Sequence, residues 1–210
     1  MKRITILLAL FSLIALSCDK ITPIEDEIVY RKYSPYLVLK PADSVGQITG
    51  FQCEKAFPYP SDSSVSVNVD LDKDGIDDFS FTYTTRFLQI NAMDSCENYR
   101  SKIEMKSLDL NNSILVENTN NNKIRIFNED NNIPGPGATG AKSAIIHLDE
   151  GSASTDFSIE DGNKYIGVNM YPGGYGWIKV FHQKDSLSFT IMEHAFNATF
   201  NLNIKAGQKK

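Results

Sequence analysis

The chain has 210 residues, of which 41% are hydrophobic, 22% charged and 10% aromatic. That is the make-up of a globular protein with a core to bury, and it excludes a disordered tail, a coiled coil and a collagen-like fibre. The formal charge is −5, from 21 basic and 26 acidic side chains; without a basic stripe to neutralise phosphates, nucleic acid is not an expected partner.

Met1-Lys2-Arg3 makes a positive start, and Ile4 to Leu16 is a run of thirteen mostly apolar residues. A membrane-crossing helix needs about 20 such residues, so the run reads as the core of a secretory signal. It ends in Ala15-Leu16-Ser17-Cys18, which resembles the lipobox of bacterial lipoproteins. The resemblance implies loss of residues 1–17, a diacylglycerol on the Cys18 sulfur and an acyl group on its amine. Each buried methylene then contributes about 0.8 kcal/mol, so several chains together hold the protein to a membrane. The alternative is an ordinary cleaved signal followed by an unmodified cysteine. Asp19 resembles an inner-membrane retention signal of enteric bacteria. Cys18-Asp19-Lys20 with Glu25-Asp26-Glu27 resembles the acidic surface-export tags of Bacteroidetes lipoproteins. The expected address is the cell envelope, at the outer membrane or cell surface, with the periplasmic face as the alternative.

Residues 18–34, polar and acidic with Pro23, read as the lipidated cysteine and a tether. Residues 35–210 then form a single domain. If Cys18 is acylated, Cys53 and Cys96 are the remaining pair of the three cysteines. In an oxidising compartment the default is a disulfide, closing a loop worth about 3–4 kcal/mol. The competing reading is two free thiols.

From Tyr36 onward the pattern is almost entirely strand. Val65, Val67, Val69 and Leu71 alternate with polar residues, as do Phe79, Phe81 and Tyr83, which is the period of a half-buried strand. Further strands are expected at 37–40, 102–108, 114–117, 124–127, 143–148, 165–170, 177–182, 187–192 and 199–204. Their spacing, with no long amphipathic helix, predicts an all-β fold: an antiparallel, jelly-roll-like β-sandwich.

Between the first two alternating runs lies Asp70-Leu71-Asp72-Lys73-Asp74-Gly75-Ile76-Asp77-Asp78. Calcium takes six to eight oxygens at about 2.3–2.6 Å. Asp70, Asp72, Asp74 and Asp78 offer carboxylates, Gly75 permits the bend, and the Ile76 carbonyl could complete the set. Carboxylates this close repel one another without a cation. Magnesium demands a tighter octahedron, so a structural Ca2+ is the expected cofactor. Phe81 stands where a helix–loop–helix hand carries its bidentate glutamate. The segment resembles instead the Asp-x-Asp-x-Asp-Gly-x-x-Asp loops of integrin-type β-propeller repeats, here present once and on a hairpin. An acidic turn that binds nothing is the alternative.

Nine of the 22 residues from Asn111 to Asn132 are asparagine, which favours turns. Pro134 to Gly140 is a loop by composition, without the Lys-Ser or Lys-Thr of a phosphate loop. Nearer the end, Tyr165-Ile166-Gly167-Val168, Tyr175-Gly176-Trp177-Ile178 and Glu193-His194-Ala195-Phe196 together resemble the C-terminal part of exported bacterial β-sandwich proteins of the PEP-CTERM type and of Bacteroidetes lipoproteins. The pattern departs at His194. The resemblance implies an exported sandwich and no activity. Tyr171, Tyr175 and Trp177 around Pro172-Gly173-Gly174 form either core packing or an aromatic platform for a glycan.

No metalloprotease, serine-hydrolase or Cys–His signature occurs. A pair of glycosidase carboxylates leaves no local spacing to find. The expected function is therefore a calcium-binding, lipid-anchored binding or structural module with a glycan or envelope protein as partner. The rival is a small secreted hydrolase acting on glycans, recognised by a carboxylate-lined cleft away from the Asp70–Asp78 loop.

Overall fold

The computed structural model describes residues 27–41, 63–87, 99–118, 120, 122–135, 137–149, 157–183 and 188–210. The leader, Cys18, Cys53 and Cys96 lie outside the described residues, and with them the cleavage, lipidation and disulfide readings. Fourteen strands are described: β1 (Ile28–Leu39), β2 (Ser63–Val69), β3 (Phe79–Phe87), β4 (Tyr99–Ser107), β5 (Ser113–Val116), β6 (Ile126–Phe127), β7 (Asn132–Ile133), β8 (Thr139–Ala141), β9 (Ser143–Asp149), β10 (Phe157–Ser158), β11 (Gly162–Asn169), β12 (Tyr175–His182), β13 (Phe189–Asn197) and β14 (Ile204–Lys205). There is no helix among the described residues.

Twelve of the strands form two antiparallel sheets packed face to face, as the strand pattern predicts, and β7 and β14 pair as a separate two-stranded ribbon. The larger sheet runs β1-β13-β12-β11-β5-β8, with β6 also pairing β11; the smaller runs β10-β9-β4-β3-β2. Each sheet contains a meander, β2-β3-β4 and β11-β12-β13. The alternating runs of the sequence are neighbours, with Val65 opposite Tyr83, Val67 opposite Phe81 and Val69 opposite Phe79. Phe79, Phe81 and Tyr83 are fully buried because β3 has a strand on both sides. Val65 and Val67 are only half-buried, because β2 is the edge of its sheet among the described residues. On the outward face Ser66 and Thr82 hydroxyls meet at 2.8 Å.

Strands β11 to β13 do not alternate; they are buried almost continuously. That is the mark of a sheet covered on both faces. Ile166, Val168, Ile178, Val180 and Ile191 point into the sandwich core. On the other face a second cluster joins Leu115, Phe127, Ile133, Tyr165, Trp177 and Ile204. The cover consists of the chain around β6 and β7 and the C-terminal tail, stitched to each other by the β14–β7 pairing.

Two sequence expectations need correction. The segment read as tether, 18–34, already contains strand from Ile28, where β1 pairs with β13 from Ile28 opposite Asn197. Its alternation is hidden by a register shift between Lys32 and Leu37. The expected strand at 199–204 is mostly turn, and the strand before it runs on to Asn197.

Candidate metal centre

The β2–β3 hairpin is closed by the Asp78 amide donating to the Val69 carbonyl at 2.9 Å. Inside it, aspartate side chains replace the missing backbone pairing. Asp70 accepts from the amides of Lys73 (2.7 Å) and Gly75 (3.1 Å), Asp72 from that of Asp74 (3.0 Å), and Asp74 from that of Ile76 (2.7 Å). These are local side-chain turns, the reason aspartate is favoured in such loops. Gly75 has φ of +91° with open space where a side chain would stand, so backbone conformation alone calls for glycine there. Leu71, fully buried, pins the loop to the core.

Asp78 is the inner wall of the site. It is 8% exposed, and its carboxylate accepts from the Leu71 amide at 2.8 Å and from the Asn112 side-chain amide at 2.9 Å. Asn112, itself buried, accepts in turn from the Tyr171 amide at 2.9 Å. Three loops are thereby tied at one end of the sandwich. One carboxylate oxygen from each of Asp70, Asp72 and Asp78 lies within 4.8 Å of the others, and this trio could hold a metal ion. Asp74 is not part of the trio; it is exposed, as is Ile76.

The electrostatics agree with that arrangement. Burial pushes Asp78 up to about 6, with the charges of Asp72 and Asp70 adding to it against the bond from the Leu71 amide. Asp72 is raised as well, by burial and by Asp74 and Asp70. No lysine or arginine among the described residues forms an ion pair with any member of the trio. Every donor is a carboxylate oxygen, the set that hard cations take. An oxygen already accepting one hydrogen bond keeps a second lone pair for a cation.

The aromatic platform is not assembled. Trp177 is fully buried under the C-terminal tail, its indole N–H donating to the Gln208 carbonyl at 3.1 Å, and Tyr165 meets it edge-on at 5.4 Å. Tyr175 is half-buried beside the same cluster, and Tyr171 stands out into solvent without them. His194 is fully buried, its Nδ1 3.1 Å from the Tyr33 hydroxyl. Burial, with the charges of Arg31 and Lys73, pushes it down to about 4, so it stays neutral.

Three groups escaped sequence reasoning. Asn112 lay in an asparagine run that signals only turns. Glu193 is a buried carboxylate on the outer face of the larger sheet, taking a 2.6 Å bond from the Tyr30 hydroxyl and ion pairs from Lys209 (2.9 Å) and Lys179 (3.6 Å). The third is a cleft of about 490 Å³ at the opposite end of the sandwich from Asp78, lined by His147, Asp149, Phe157, Ser158, Glu160 and Asp161 among others. Behind it His182 is buried with Nε2 3.1 Å from the Ser158 hydroxyl, and its ring lies 5.4 Å from that of His147. The Ser158 hydroxyl also lies 3.1 Å from the Ile159 carbonyl, a second partner for its proton. Those contacts are between residues far apart in sequence, which no local spacing announces.

Compared with family models, curated proteins and solved structures, the chain matched none.

Proposed function

We propose that this protein is a calcium-binding, lipid-anchored protein of the bacterial cell envelope, working as a binding or structural module rather than as an enzyme. The observation that carries the calcium part is the buried Asp78 carboxylate, converging with Asp70 and Asp72 and lacking any cation among the described side chains. A divalent ion supplies that charge, and the all-oxygen donor set suits calcium. The anchor rests on the lipobox-like Ala15-Leu16-Ser17-Cys18. The place is the outer membrane or cell surface, and the partner a glycan or another envelope protein.

Two measurements test it. Expressed in a bacterial host, the chain should incorporate labelled palmitate and partition with membranes, and Cys18→Ala should lose both. Calorimetry on the purified protein should show one calcium site that Asp72→Asn and Asp78→Asn each weaken at least tenfold. Unlabelled protein, or wild-type affinity in both variants, removes the corresponding half of the proposal.

The hydrolase reading has one observation in its favour: the second cleft carries Asp149, Glu160 and Asp161 and lies away from the Asp70–Asp78 loop. Glu160, however, is held below its ordinary value by the hydrogen bond and charge of Lys164, the opposite of what a general acid needs. Release of sugar from envelope glycans, abolished by Asp149→Asn or Asp161→Asn, would establish it in place of the module.

A further inference from the structure

The end of the sandwich that carries the aspartate trio also carries the four most exposed large apolar side chains among the described residues. Leu110 (88% exposed), with Leu108 (49%) near it, tips the β4–β5 loop, Ile76 (70%) the β2–β3 loop, Phe200 (67%) the turn after β13 and Tyr171 (62%) the β11–β12 loop. They belong to one surface because their loops are bonded in series. The Leu108 amide donates to the Asp78 carbonyl at 2.8 Å, the Tyr171 amide to Asn112, and the Asn201 amide to the Gly173 carbonyl at 3.2 Å. Single exposed apolar side chains are ordinary, but four of this size gathered on the bonded loops of one end make the kind of surface that marks an interaction site.

The chain's own path says which partner. Glu27, the first described residue, lies at this same end: its carbonyl accepts from the Ala198 amide at 2.7 Å, two residues before Phe200. Only eight residues, 19–26, separate it from Cys18. At full extension that stretch spans at most about 30 Å. Through that tether a lipid on Cys18 joins the domain at this end and not at the one with the His147 cleft.

We infer that the loop end bearing Ile76, Leu108, Leu110, Tyr171 and Phe200 is a membrane-seating face, its apolar tips entering the interfacial layer of the phospholipid bilayer to which Cys18 is attached. The inference rests on the lipoprotein reading and goes beyond it, from a chain tethered at one point to a domain with a fixed orientation. Asp72, Asp74, Asp77 and Asp109 outnumber Lys73 and Lys142 around the tips. Attraction to anionic headgroups is thus not the driving force, and insertion of apolar side chains is.

Trp177 is the single tryptophan and is buried, so it gives a constant background for reporters placed on the surface. Leu110→Trp and Tyr171→Trp report on the proposed face, and Phe181→Trp, on β12 toward the opposite end, is the control. The full chain, purified from bacterial membranes and reconstituted into phosphatidylcholine vesicles with brominated acyl chains in calcium buffer, is floated and its fluorescence read. Bromolipid should quench the added signal of the Leu110→Trp and Tyr171→Trp proteins by half or more and leave that of the Phe181→Trp protein unquenched. Protein that floats with all three reporters equally unquenched overturns the seating face, including the case in which a protein partner covers these tips. Protein of unlipidated mass that stays off the vesicles overturns the lipoprotein reading, and the seating face with it.

Discussion

Asp78 at one end of the sandwich and Glu193 on the outer face of the larger sheet are both buried carboxylates, 8% and 7% exposed. Burial pushes both up, yet they end on opposite sides of the ordinary carboxylate range. At Glu193 the Tyr30 hydroxyl and the ammonium groups of Lys209 and Lys179 outweigh burial and hold it low. At Asp78 the amide donors do not, and the charges of neighbouring Asp72 and Asp70 make matters worse, so it rises to about 6. One site is complete; the other has no ion-pair partner among the described residues. The difference between them is the physical argument for a metal ion, because the same fold shows what a satisfied buried carboxylate looks like.

The largest effect expected is on the complete site. Trp177→Ala removes the ring around which Tyr165, Tyr30 and the C-terminal tail pack. It should cost about 3–5 kcal/mol in denaturant unfolding. A cost under about 1 kcal/mol would mean that the tail is not held this way.

Next comes acid. His194 neighbours Glu193 on β13 and is depressed to about 4 from an ordinary 6.5. The unfolded chain binds the proton more readily, so the stability from a neutral His194 is complete above about pH 6.5 and lost as pH falls toward 4. The loss amounts to up to about 3 kcal/mol. Chemical unfolding at pH 7 and pH 4.5 should show it, and His194→Gln should flatten the difference; an unchanged slope in that variant would assign the acid sensitivity elsewhere.

Glu193→Gln should destabilise by about 2 kcal/mol, less than the 3–5 kcal/mol of a fully buried broken pair. Lys209, at 44% exposure, can turn to water once its partner is neutral. The isosteric change at the other site, Asp78→Asn, should leave the protein within about 1 kcal/mol of wild type in chelator. It relieves a buried charge while losing one of two hydrogen bonds. If both substitutions cost the same, the contrast between the sites fails.

How much of this the sequence displayed follows from geometry. Period-two runs such as Phe79-Phe81-Tyr83 were legible because one face of β3 is buried and the other wet. Strand β1 was not, since its register shift breaks the period. Trp177 was legible as core or as a platform beside Tyr171 and Tyr175, and the tail returning over the sheet, which local pattern does not show, is what puts it inside. The aspartate loop was readable because its side chains are neighbours in sequence, though Asp74 belongs to the turn rather than to the trio. Asn112 and the partners of Glu193 come from distant segments, and local spacing carries no trace of them.

The central claim is that Asp78 awaits a cation. Thermal unfolding of the wild type and of Asp78→Asn, each with chelator and with calcium at 100-fold its dissociation constant, tests it most directly. A native-state site should add about 2.7 kcal/mol to the wild type, or about 5–10 °C in melting temperature, and little to the variant. Equal melting temperatures for the wild type with and without calcium would contradict the account, and so would a shift that survives Asp78→Asn unchanged.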